Sequence, residues 1–278
     1  MDKVTGIQTQ ILLALARYKF LTVKQIQMLG ISDATYTRKL LKTMADRGKP
    51  FVKYVAFGVH PKVGKLENMY FLTHFGRDEL VKGLGVDGES VRLPKGTSTM
   101  FFQDYNHRRN FIFSQIAFYT WAEKEGFSVI VFESYFDQAG NNRKDGNAEA
   151  VTKIEIGVGE YFMPDGVLVL NRGGEKYLYL LEMYNGKDTK RVLQQMEKHA
   201  KCLALGTANE KYQVKRGCRV VAVFEFERSM QAVIERLGKD ERFSMITDFF
   251  FFKSLHEVLQ GDIRENWKNL KGETIRLL

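Results

Sequence analysis

A chain of 278 residues, 44% hydrophobic and 13% aromatic, is long enough for one or two cored domains, and with only 4 prolines and no long Ser/Gly tract it is not a disordered tail. Two cysteines, Cys202 and Cys218, exclude a disulfide framework and cannot by themselves make a four-ligand zinc site, so idle thiols in a reducing compartment are expected. The net charge of +9 is unevenly spread: the first 83 residues hold 14 Lys/Arg against 6 Asp/Glu and the remainder is nearly balanced, a bias suited to a phosphate backbone or, more simply, to solubility.

The N-terminus MDKVTGIQTQ lacks a signal-peptide pattern, and the longest apolar run, around Phe249–Phe252, is strand-sized. A cytoplasmic protein with no membrane partner is expected. In chain order, Ile7, Ile11, Leu12 and Leu15 fall at helical spacing, with Thr5 as a candidate cap. Thr22 can cap a short helix that buries Ile26 and Leu29 and stops at Gly30. Ser32 is the expected N-cap of a third helix with Leu40, Leu41 and Met44 inward and Gly48 at its end. Helix, short helix, turn and helix predict a helix-turn-helix. Two β-like runs, Phe51–Phe57 and Asn68–Leu72, are joined by GVHPKVGKLE at the place and length of a wing, and 73–84 reads as another helix. Residues 1–84 are therefore expected to be a winged helix-turn-helix domain, and 85–104 a linker.

The second domain, 105–278, opens on a long helix carrying Phe111, Ser114, Ile116, Phe118 and Trp121 and ending near Gly126. A strand over 127–136 and a polar loop over 141–150 follow. A strand over 161–174, interrupted at Pro164-Asp165, turns through Arg172-Gly173-Gly174 into a second over 175–186. Then come a helix over 188–206 capped by Asp188 or Thr189, a strand over 219–227, a helix capped by Ser229, and a last strand and helix. The order α-β-β-β-α-β-α-β predicts a mixed sheet flanked by helices, giving a two-domain α+β or α/β protein.

Off the apolar face of the third helix stand Thr35, Tyr36, Arg38, Lys39 and Lys42. Hydroxyl and guanidinium groups there suit base edges in a major groove, and Lys39 and Lys42 suit phosphate. Lys62 and Lys65 of the wing are placed to meet a backbone or minor groove. Solvated surface charge is the plainer reading of any one of them.

Asp165 and Glu182 sit on adjacent strands joined by a short hairpin, which can set both carboxylates on one face at one end of the sheet. Such a pair can hold Mg²⁺ or Mn²⁺. Glu182 is an odd residue for the buried run YLYLLEMY and calls for a partner or a metal. Equally, Asp165 could sit in an ordinary turn and Glu182 pair with a lysine.

The order Pro164-Asp165, then Glu182 on the next strand, resembles the PD-(D/E)xK nucleases, whose domain is a restriction-endonuclease-like mixed sheet. Over about residues 5–237 the chain resembles the replication-relaxation family, through LTVKQIQMLGISDATYTRKLLKTMADRG, YFLTHFGRDEL, NHRRNFIFSQI, MPDGVLVL and LLEMYNGKDTKRVLQQMEKHA. The resemblance implies a relaxase-like protein that processes double-stranded DNA at a plasmid or mobile-element origin, for conjugation or replication, alone, as a homodimer, or with accessory transfer or replication proteins. It makes Asp165 and Glu182 metal ligands, brings His107 toward the active site as ligand, base or phosphate contact, and likens Gln195 to the helical glutamine of some such nucleases. The lysine that the nuclease pattern expects two residues after Glu182 is Tyr184 here, with Lys187 and Lys190 as nearby substitutes. Tyr184 could instead be a nucleophile, or a packing residue; His107 could equally be a structural cap. Against a metal-dependent nicking enzyme stand a non-catalytic initiator or transcriptional regulator with an inactive nuclease-like domain, and a winged-helix protein whose second domain only dimerises.

Overall fold

The computed structural model describes residues 6–61, 64–94, 104–139 and 149–277. Thr5, Lys62, most of the 141–150 loop and 95–103 of the expected linker lie outside them. The chain forms two compact units, Met1–Ile112 and Phe113–Leu278.

In the first unit, α1 (Gly6–Tyr18) buries Ile11, Leu12 and Leu15. α2 (Val23–Met28) begins at the expected cap: Thr22 accepts from the Gln25 amide while the Gln25 side chain accepts from the Thr22 amide. α3 (Ala34–Ala45) buries Thr37, Leu40, Leu41 and Met44. Its N-cap is Asp33, not Ser32: Asp33 Oδ1 takes the amides of Thr35 and Tyr36. A carboxylate satisfies two helix-end donors where a hydroxyl at 32 would lie one residue too early.

β1 (Val52–Val55) runs out to a distal hairpin of β2 (Val59–His60) and β3 (Gly64–Lys65), and β4 (Met69–Leu72) returns antiparallel to β1. Leu21 exchanges both backbone hydrogen bonds with Tyr70, adding a bridge on the other side of β4. Thr73 then caps α4 (His74–Leu84), and Gly76 in its first turn lies against the Phe51 backbone. Residues 85–94, expected as linker, are tied back: Arg77 donates to the Gly88 carbonyl and the Arg92 amide to that of Ala16. α5 (Tyr105–Lys124) starts in this unit, where the Gln25 side chain donates to the Arg109 carbonyl.

The second unit is built on β5 (Ser128–Ser134), a small pair β6 (Gln138–Ala139) and β7 (Glu149–Ala150), a hairpin β8 (Ile154–Gly157) and β9 (Glu160–Phe162), then β10 (Gly166–Arg172), β11 (Glu175–Tyr184), α6 (Thr189–Leu205), α7 (Thr207–Tyr212), β12 (Arg219–Phe224), α8 (Glu227–Gly238), β13 (Phe250–Ser254), α9 (Leu255–Gln260), β14 (Trp267–Lys268) and β15 (Thr274–Ile275). Seven strands form one mixed sheet in the order β15-β14-β13-β12-β11-β10-β5; β11, β12 and β13 are parallel and the other neighbours antiparallel. The β10–β11 turn is the two-residue Gly173-Gly174, both at positive φ, as a tight hairpin twisted with its strands requires. The strand expected over 161–174 is divided: β9 pairs with β8, and the break at Met163–Asp165 separates it from β10. Pro164 lacks the amide a continuous ladder needs.

Both faces of the sheet are covered. On one, Val167 and Val169 of β10, Leu178 and Leu180 of β11, and Val220, Ala222 and Phe224 of β12 pack under Val192, Met196 and Cys202 of α6 and Val233 and Ile234 of α8. On the other, Ser114 of α5 meets Met183 and Phe118 packs on Trp267. Both cysteines are free and buried. Ser229, expected to cap α8, lies buried inside it; Phe226 holds the cap position without a side-chain bond.

Lys253 of β13 is 2% exposed; its ammonium donates to the carbonyls of Asp262 (2.7 Å) and Glu265 (2.8 Å) and lies over the Trp267 ring. Burial pulls its pKa below the usual lysine value. Lys253→Met would remove the donor to both carbonyls and should cost about 1–3 kcal/mol, read as a lower urea midpoint at unchanged slope. Among the described residues, no helix is long and apolar enough to cross a membrane.

Candidate active site

Gly166 pairs with Leu181, so one step further along the antiparallel ladder Asp165 faces Glu182, with both side chains on the α6 side of the sheet. The Asp165 carbonyl accepts from the Tyr135 amide, which holds that backbone in line with β5. Its carboxylate turns inward, and Oδ2 takes the Met183 amide at 2.7 Å.

Glu182 is 4% exposed. Two side chains one turn apart on α6 converge on its Oε1: Gln195 Nε2 at 3.1 Å and His199 Nε2 at 2.6 Å. His199 is fully buried, its ring edge-on to Phe162, and burial brings its pKa down to about 3 against some support from Asp165. It is therefore neutral near pH 7, and the tautomer with the hydrogen on Nε2 donates to the carboxylate. Gln195, His199 and the Met183 amide are neutral donors; they orient the two carboxylates without cancelling their charge.

That donor chemistry fits the Mg²⁺ or Mn²⁺ implied by the resemblance. Two carboxylates from neighbouring strands offer hard oxygen ligands, and such ions bind through one or two carboxylates while keeping waters and substrate oxygens. Among the described residues no group of three or more His, Cys, Asp or Glu forms a metal-ligand set, so Asp165 and Glu182 would be the protein's contribution.

The other sequence candidates fall differently. Tyr184 shares the Glu182 face, packs on Phe224 at 4.9 Å, and has a buried hydroxyl with no hydrogen-bond partner. Burial pushes its phenol well above the usual value, Glu182 and Asp165 add to this, and Arg191 opposes it. These are the surroundings of a packing tyrosine, because a nucleophilic one needs its phenolate favoured. Lys187 is exposed, its ammonium over the Phe226 ring. Lys190 is exposed and lies about 140° around α6 from Gln195. Arg191, one turn before Gln195, and Lys198, three residues after it, are cations on the Gln195 face. His107 belongs to the first unit, in the first turn of α5. His199 and Arg191 escaped the sequence reading; their spacing of four residues on either side of Gln195 was the available signal.

In the first unit, Thr35, Tyr36, Arg38, Lys39 and Lys42 are all exposed along α3. Arg38 and Lys65 line one groove of about 320 Å³ with Glu67, Asn68 and Tyr70, so one cation of α3 and one of the hairpin share a surface. Comparisons with protein-family models, with curated proteins and with solved structures find no match.

Proposed function

We propose that the protein is a metal-dependent DNA-nicking enzyme of the replication-relaxation type, in which a winged helix-turn-helix delivers a nuclease-like domain to double-stranded DNA at a plasmid or mobile-element origin. The observation that carries this reading is Asp165 set opposite Glu182 at one end of a hairpin, with Glu182 held from α6 by Gln195 and His199. Asp165 and Glu182 would hold Mg²⁺ or Mn²⁺, which when bound activates water and stabilises charge on a phosphoryl oxygen. Gln195 and His199 keep the Glu182 carboxylate aimed while leaving its charge available. For the first unit, α3 would enter the major groove with Thr35, Tyr36 and Arg38 toward base edges, and Lys39, Lys42, Lys62 and Lys65 on phosphates.

The test is conversion of a supercoiled plasmid carrying the element's own origin to open circle. Nicking with Mg²⁺ or Mn²⁺ and none with EDTA supports the enzyme. DNA binding with no nicking in any metal refutes it in favour of a non-catalytic initiator or regulator, a reading favoured by Tyr184 standing where the nucleases carry lysine. As a positioning residue, His199 has a graded expectation: His199→Leu lowers the nicking rate by about 10- to 100-fold at unchanged DNA affinity, and His199→Gln, which still donates, loses less.

A further inference from the structure

An open groove of about 540 Å³ runs along α6, walled by Arg191, Gln194, Gln195, Lys198 and, from β9, Glu160. Gln195 belongs to both the groove wall and the carboxylate pair, since its amide nitrogen donates to Glu182, and this shared residue is the link between groove and candidate site. Arg191, Gln195 and Lys198 fall on one helical face at steps of four and three residues. Glu197 and Lys201 complete the wall, which so holds three cations against two acids; Glu160 pairs with Lys201, and Glu197 with Arg242 at 2.8 Å, a guanidinium that it shares with Asp240. Arg191 and Lys198 therefore set the sign of the groove.

We infer that this groove binds the sugar-phosphate backbone of a DNA strand, with Arg191 on the phosphate next to Asp165 and Glu182 and Lys198 on one further along. Seven residues of helix rise about 10.5 Å, a separation that the long arginine and lysine side chains can bring onto two phosphates of one strand. A guanidinium can grip phosphate oxygens in bidentate fashion, which suits Arg191 to the position nearest the reaction. The inference rests on the reading of Asp165 and Glu182 as a cleavage site, and makes Arg191 the positive group that neither Lys187 nor Lys190 supplies there.

The experiment titrates a fluorescein-labelled 30-base-pair duplex of arbitrary sequence with the full chain over a range of salt, for wild type, Arg191→Ala and Lys198→Ala, and nicks the supercoiled plasmid with the same proteins at saturating DNA. Each variant should flatten the log K against log salt slope by about 0.9, the loss of one phosphate contact. Nicking at saturation should fall at least about 100-fold for Arg191→Ala, as when one transition-state charge contact is removed; for Lys198→Ala the loss should appear as weaker binding, with proportionally less nicking at subsaturating DNA. Slopes and nicking unchanged in both variants overturn the groove while leaving the enzyme in place. A wild type that never nicks overturns the enzyme reading, and the slopes still decide whether the groove holds DNA. Both side chains lie on the groove surface, so matching circular dichroism spectra are expected throughout.

Discussion

Asp165→Ala should abolish plasmid nicking, by at least about 10³-fold, with duplex affinity unchanged. Half of the oxygen set that would hold the metal disappears, and the remaining carboxylate is buried behind α6. Alanine also frees the Met183 amide that Asp165 Oδ2 accepts at 2.7 Å, so some loss could come from local rearrangement of β11. Asp165→Asn separates the two effects. Its side-chain oxygen still accepts that amide, while the negative charge is gone. Nicking lost in both variants at equal melting temperature ties the loss to charge; nicking retained in Asp165→Asn would remove Asp165 from the chemistry.

Gly76→Ala should unfold the first unit or cost it at least about 3 kcal/mol, because an added Cβ would be driven into the Phe51 carbonyl oxygen and would crowd the Leu72 side chain at 3.1 Å. Phe51 cannot yield cheaply: its carbonyl accepts the Thr73 amide, and Thr73 caps α4. The clash is with backbone, so no rotamer relieves it. Thermal unfolding followed by circular dichroism should show a lowered first transition, and duplex affinity should fall with it. Gly83→Ala serves as control, since a Cβ there meets only the Glu79 side chain at 3.6 Å. Equal stability of the two variants would contradict the packing of α4 against Phe51.

What could be read from the residues was mostly what neighbours in sequence decide. The Thr22 cap, the stop at Gly30 and the Gly173-Gly174 turn depend on residues within one turn of each other and stand where expected, and α6 is capped by Asp188, one of the two residues expected there. The facing of Asp165 and Glu182 followed from the same turn, because a two-residue hairpin fixes its register. Where two cap-forming residues adjoin, as Ser32 and Asp33, local preference does not choose between them; the packing of Thr37, Leu40, Leu41 and Met44 sets the helix phase and so the cap. β9 and β10 read as one long strand because nothing local shows that Glu160–Phe162 pairs with β8. His199 and Arg191 were missed for a similar reason. Their roles depend on which face of α6 meets β11, a tertiary fact that the buried Val192, Met196 and Cys202 report only once the sheet is in place.

The Gly173-Gly174 turn also orders the events of assembly. Asp165 and Glu182 stand at the open end of a hairpin closed by the sixteen residues between them, and contacts of that span form on the microsecond scale. Pairing of β11 with β12 must wait for the α6–α7 crossover to close. The two carboxylates can therefore meet before Gln195 and His199 reach them, and damage to the parallel half of the sheet should leave the acids adjacent but unaimed. A slip of β11 by one position would send Glu182 to the α5 face, but it would carry Leu178 and Leu180 out of the core as well, so the packing that buries those leucines also holds the acids in register.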